Sequence, residues 1–189
     1  NYPEISFTFV SHTITGMMGV EPNAPENAVS TVSRLPQDVG YVKASGIMMG
    51  SHVLDVAHDG LTNSTMTNNS TEDLTWTVQF YGEYDYIQAG NRVYKAEKSD
   101  INGEVVSYAV VTVPAGETVN AKVVTEEEAI HVNAAYEVIC KIDTIGDVTL
   151  QSKKVIAEAR KAYEVLNDVE KAMVENLDVL VRAEEKLAK

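Results

Sequence analysis

Thr75-Trp76-Thr77-Val78-Gln79-Phe80 alternates strictly between polar and apolar side chains. Successive side chains on a strand point to opposite faces, so Trp76, Val78 and Phe80 share one face and Thr75, Thr77 and Gln79 the other. Reading outward from this half-buried strand gives a meander. The strand, placed near 74–88, turns at Ala89-Gly90-Asn91 into a second over Arg92–Lys98. Ser99-Asp100-Ile101-Asn102-Gly103 turns again into Glu104–Val113, and Pro114-Ala115-Gly116-Glu117 into Thr118–Val124. Short strands parted by Gly, Asn and Pro turns at regular spacing predict a sandwich or barrel. Upstream, Ile5, Phe7 and Phe9 alternate with Ser6 and Thr8, and 41–58 holds one or two further strands. Glu21 to Asn27 and the Asn-, Ser- and Thr-rich stretch Asn63 to Glu72 read as loops.

The grammar then changes. Every Gly, Pro and Thr of the chain lies at or before Thr149, and Ala, Val, Leu, Glu and Lys dominate after it. Gly and Pro punctuate turns and Thr favours strands, so their disappearance marks helix. A first helix over about 127–142 carries Ile130, Ala134, Val138 and Cys140-Lys141 at helical spacing, with Gly146 as its C-cap. The Glu126-Glu127-Glu128 run forms its acidic first turn. A second helix from about Ser152 carries Ile156, Ala159, Tyr163 and Leu166. Asn167-Asp168 caps a short third helix, and Asn176-Leu177-Asp178 caps a fourth that turns Leu180, Ala183 and Leu187 inward. The expected fold class is therefore α+β and segregated. An antiparallel β-sandwich-like module over 1–125 precedes a three- or four-helix bundle over 126–189.

Within the helical part, residues 142–187 carry a recurring pattern. Ile142-Asp143-Thr144-Ile145-Gly146-Asp147-Val148-Thr149-Leu150-Gln151-Ser152-Lys153 leads to Ala159-Arg160-Lys161-Ala162-Tyr163-Glu164-Val165-Leu166. Lys171-Ala172-Met173-Val174-Glu175-Asn176 and Leu180-Val181-Arg182-Ala183-Glu184 follow. This stretch, about a quarter of the chain, resembles a helical repeat module of secreted and cell-wall surface proteins of Firmicutes (Gram-positive bacteria). It departs from that pattern at Asn167-Asp168-Val169-Glu170, where the family often has a Thr-Asp/Pro-Ala-Gln turn. The resemblance implies an extracellular, secreted or wall-attached multidomain protein in which the bundle is a spacer, and it implies no catalysis. The β part resembles no family.

Charge narrows the partners. The net charge is −13, yet residues 150–189 hold eight basic and eight acidic side chains, so the excess belongs to 1–149. Nucleic acid and anionic membrane surfaces both need a basic footprint, which disfavours them as partners. No apolar run approaches the roughly 20 residues of a membrane span, so no membrane insertion is expected. No cationic start leads into an apolar segment. A chain opening Asn1-Tyr2-Pro3 reads as trimmed, its secretion signal already removed or lying outside. The lone cysteine, Cys140, forms no intrachain disulfide and reads as a small buried hydrophobe.

Three clusters carry candidate chemistry. His52-Val53-Leu54-Asp55-Val56-Ala57-His58-Asp59 offers metal-ligand types, but on a strand His52 and His58 share a face that Asp55 does not. No metal site is expected from it. Asp59-Gly60-Leu61-Thr62-Asn63 lacks the ligand spacing of a calcium loop, leaving only a loosely held Ca²⁺ on an acidic module. The aromatic stretch Phe80-Tyr81-Gly82-Glu83-Tyr84-Asp85-Tyr86, with Tyr94 across the turn, is the binding candidate. Strict alternation sends Trp76, Phe80, Tyr84 and Tyr86 inward and leaves Tyr81, Glu83 and Asp85 outward. Tyr offers an apolar body with a polar tip, the chemistry that stacks on sugar rings and bonds their hydroxyls.

Glu83 and Asp85 alone do not make a glycosidase pair, and no nucleophile elbow or phosphate loop is present. The expected function is non-catalytic: adhesion, or binding of a glycan or host extracellular protein through Tyr81, Glu83, Asp85 and Tyr94. The alternatives are a purely structural stalk segment and the accessory portion of a secreted glycoside hydrolase.

Overall fold

The computed structural model describes residues 8–188. The chain forms two compact units, one of β structure ending at Val124 and one of helices starting at Thr125, with residues 91–93 grouped with the second. The fold is α+β, as the sequence predicts. The first sheet runs β1 (Glu21–Asn23), β2 (Ala28–Val32), β6 (Leu74–Tyr81), β10 (Glu104–Val113) and β9 (Glu97–Ile101) across its width. The second runs β3 (Tyr41–Met49), β4 (His52–Asp59), β5 (Asn63–Asn68), β11 (Thr118–Val124), β7 (Tyr86–Ala89) and β8 (Arg92–Lys95).

Both sheets feed one core. Val29, Trp76, Val78, Phe80 and Val111 enter it from the first, and Leu54, Val56, Met66, Ile87 and Ala121 from the second. The alternation that opens the sequence reading is visible as burial, with Leu74, Trp76, Val78 and Phe80 buried along β6. The indole of Trp76 donates to the hydroxyl of Thr31 on β2 at 2.8 Å, so its one polar atom is satisfied inside the core.

Several expectations are corrected. The sandwich is mostly antiparallel, but β2 pairs with β6 in parallel, Val29 opposite Trp76. Three strands of the other sheet intervene between them and provide the crossover that parallel pairing needs. The single strand expected at 74–88 is two strands in different sheets. Asn63–Asn68 is strand, not loop: Ser64, Met66 and Asn68 alternate inward, so its polar composition conceals a buried face. The Asn68 amide donates to the carbonyls of Glu72 at 2.8 Å and Val113 at 3.1 Å, which lets a polar side chain sit in the interior. The strand expected around Ile5, Phe7 and Phe9 falls largely outside the described residues. Phe9 itself lies in a helical stretch that continues into a π-helical turn, His12–Met17, and it is exposed.

Met18 and Val20, just after that turn, are fully buried. Between them Gly19 has φ +54°, and a Cβ there would stand 2.3 Å from the carbonyl oxygen of Val32. Only glycine accommodates both the left-handed backbone and the close approach.

The helical unit contains α1 (Glu126–Asp143), α2 (Lys153–Val165), α3 (Asp168–Ala172) and α4 (Leu177–Leu187). Thr125 and Glu128 close a capping box on α1, the Thr125 hydroxyl accepting from Glu128 N–H and the Glu128 carboxylate from Thr125 N–H. Asn167 and Glu170 repeat the device on α3. Ala135, Val138, Ile139 and Ile142 of α1 meet Ile156 and Ala159 of α2 and Leu180 and Ala183 of α4. Arg160 clamps α2 to α4 through two bonds to the Glu184 carboxylate, at 2.7 and 2.5 Å. No helix among the described residues is long and apolar enough to cross a membrane.

The expected inner stripe of α1 holds at Val138 but not at its ends. Ile130 is 60% exposed and Cys140 is exposed, because Ala135, Val138, Ile139 and Ile142 already fill the side facing α2 and α4. Substituting Gly19→Ala should lower the stability of the β unit by about 2 kcal/mol or more. Urea unfolding followed by Trp76 fluorescence measures this, and an unchanged midpoint would refute the tight approach to Val32.

Candidate functional site

The candidate binding residues lie where the chain leaves one sheet for the other. Tyr81 ends β6 opposite Val106 of β10, and β7 begins at Tyr86. The crossing starts at Gly82, whose φ of +114° and missing side chain make room for the Tyr84 ring. Gly82 N–H donates to the Val105 carbonyl at 2.9 Å.

Ser107, fully buried on β10, holds the crossing together. Its hydroxyl donates to the Gly82 carbonyl at 2.7 Å, and accepts from Tyr84 N–H at 2.8 Å and from Lys98 Nζ at 3.0 Å. One hydroxyl hydrogen and two lone pairs are thereby all used. Lys98 also donates to the Tyr84 carbonyl and stands 3.9 Å from the Asp85 carboxylate. Asp85 accepts from Ala96 N–H at 2.8 Å through its backbone carbonyl.

This arrangement fixes the backbone and leaves two carboxylates outside. Glu83 is exposed, and the Asp85 side chain keeps 83% of its surface in solvent. Tyr81 is half-buried and its hydroxyl oxygen accepts from Arg34 Nε at 3.3 Å. Arg34 in turn donates to the Thr15 carbonyl at 3.0 Å. Tyr81, Glu83 and Asp85 thus share the corner. Tyr94, on β8, packs against the core, as does Tyr84. Tyr86 does not follow the expected inward phase, since Ile87 and Ala89 take the buried positions of β7. The residues that sequence reading missed are Ser107, Lys98 and Arg34. Each is polar and meets partners far away in the chain, so no local spacing marks it.

The histidine cluster divides by face, as expected of a strand. His52, Leu54, Val56 and His58 are buried along β4, while Asp55 points away. Asp55 accepts from Gly46 N–H at 3.0 Å, which together with Lys43 at 3.6 Å holds its carboxyl below the usual range. The His58 Nε2 lies 3.0 Å from the Met18 carbonyl and its Nδ1 lies 2.7 Å from the Ser64 hydroxyl. A carbonyl only accepts, so Nε2 carries the hydrogen and Nδ1 accepts from Ser64. Burial pushes the His58 pKa below its ordinary value. Neither ring nitrogen of His52 has a partner among the described residues. No group of three or more His, Cys, Asp or Glu side chains among the described residues is placed to hold a metal ion.

Comparisons of the chain with protein-family models, with curated proteins and with solved structures found no match. The residues alone carry the functional reading.

Ser107→Ala would strand the Tyr84 N–H and the Gly82 carbonyl, and should cost about 1–3 kcal/mol, read as a shift in urea midpoint. If stability is unmoved, Ser107 is not what holds the crossing. Acid should also weaken the β unit. The unfolded chain takes up a proton on His58 near pH 6.5, before the folded form does, so stability is present above that pH and declines below it. The contribution of one such histidine is at most about 1.4 kcal/mol per pH unit. His58→Gln should flatten the fall in unfolding free energy below about pH 6.5, and an identical slope would remove His58 as its source.

Proposed function

We propose that this chain is a non-catalytic binding module of an extracellular bacterial surface protein. Its β unit contacts a glycan or a host extracellular protein, and its helical unit serves as a spacer. The observation that carries this reading is the rigid corner at 81–85, which presents exposed carboxylates on Glu83 and Asp85 beside the half-buried Tyr81. A pre-ordered backbone reduces the ordering cost of binding, and tyrosine with carboxylates matches both sugar hydroxyls and the polar-aromatic chemistry of protein contacts. The resemblance of 142–187 to wall-protein repeats supports the extracellular setting. The acidity of 1–149 argues against nucleic acid.

The test is binding of the whole chain to a glycan array and to a panel of host extracellular proteins, with and without Ca²⁺. The expected result is a saturable hit that Tyr81→Ala or Asp85→Asn weakens by about tenfold while the fold is retained. A hit indifferent to both substitutions would move the site off this corner. A blank from folded protein would favour a structural stalk.

A further inference from the structure

A groove of about 500 Å³ lies between α1 and α2, its walls including Ala134, Ala162 and Val165. Glu137 and Lys141 on its α1 rim and Glu158, Lys161 and Val165 on its α2 rim are exposed, whereas Val138 and Leu166 at its floor are buried in the helical core. Val165 on its wall is 80% exposed, and Ile130, one turn before Ala134, is 60% exposed. Such apolar side chains on a short helix are costly to leave in water.

The rim carries the information about what covers it. The two helices run antiparallel, because Glu170, just past the end of α2, lies 2.9 Å from His131 near the start of α1. This direction orders the rim charges oppositely on the two helices, so Glu137 and Lys161 lie toward one end of the groove and Lys141 and Glu158 toward the other. Neither pair closes an ion pair across the groove, and Glu158 instead meets Lys154 on its own helix at 3.8 Å. The four charges form a checkerboard: each acid has a base beside it along its helix and another across the gap.

A checkerboard is complementary to itself. Turned face to face about a two-fold axis along the groove, Glu137 of one copy meets Lys161 of the other and Lys141 meets Glu158. About a two-fold axis across the groove, Glu137 meets Lys141 and Lys161 meets Glu158. Every contact pairs opposite charges in both cases. A partner with one sign of charge would meet repulsion at half of the rim. We propose that this groove is a homodimer interface, closed by the same groove of a second copy of the chain. The pairing is isologous, covers the half-buried Ala134 and Ala162 and the exposed Val165, and places four helices in antiparallel contact. The surface is smaller than a standard interface of about 1,600 Å², so association is weak and concentration-dependent.

Sedimentation equilibrium of the whole chain over a concentration series tests this, with circular dichroism as the control for folding. Wild type should show a reversible monomer–dimer equilibrium. Glu137→Lys, Lys161→Glu and Val165→Ser, each at an exposed position, should each weaken dimerisation by about tenfold. The fourfold inversion Glu137→Lys, Lys141→Glu, Glu158→Lys, Lys161→Glu should restore self-association yet fail to pair with wild type, because every mixed contact is then like against like. A monomer at all concentrations, or a dimer indifferent to these substitutions, would overturn the proposal. So would free mixing of the inverted and wild-type chains.

Discussion

The sandwich depends on how the chain gets from one sheet into the other between Tyr81 and Tyr86. A strand that leaves its ladder exposes backbone N–H and C=O groups, and inside a protein each of these must find a partner. Ser107 meets that requirement from the neighbouring strand. Its hydroxyl takes up the Gly82 carbonyl and the Tyr84 N–H together, and Lys98 closes the remaining lone pair. With the backbone settled, β6 and β7 can deliver Phe80 and Ile87 to one core from opposite sides. The corner that the sandwich needs is also the corner that presents Glu83 and Asp85.

Elements governed by local rules were legible in the sequence. β10 and β11 occupy the residues read for them, because their alternation is long and their turns carry Gly and Pro. The cap at Asn167 follows from its residue type, whereas the Thr125 cap on α1 emerges only in the structure. The opposed faces of His58 and Asp55 follow from strand geometry. The failures share a different cause. β5 hides behind Asn, Ser and Thr because Asn68 is satisfied by carbonyls distant in the sequence. The phase of Tyr86 flips because β7 belongs to the other sheet, which no two-residue period records. Cys140 faces outward because α1 carries two apolar stripes, and packing against α2 and α4 selects between them.

The candidate site shows the same division. Tyr81, Glu83 and Asp85 are adjacent in sequence and reach one corner together. Tyr94 was included by proximity across a turn and packs against the core. What fixes the corner, through Ser107, Lys98 and Arg34, comes from elsewhere in the chain and was invisible to spacing. The charge is uneven as well: the excess acidity lies within residues 1–149, while the last 40 residues balance.

The edge of the second sheet has its own consequence. β3 is an outermost strand with Tyr41 and Met48 largely exposed, and its register against β4 shifts between Ala44 and Ile47. The Gly46 N–H inside that irregularity is turned to the Asp55 carboxylate. A straight, apolar edge would template strands from neighbouring molecules and grow into fibrils. This one is kinked and one of its donors is already engaged. At this edge, neighbouring molecules are therefore kept from adding strand to strand.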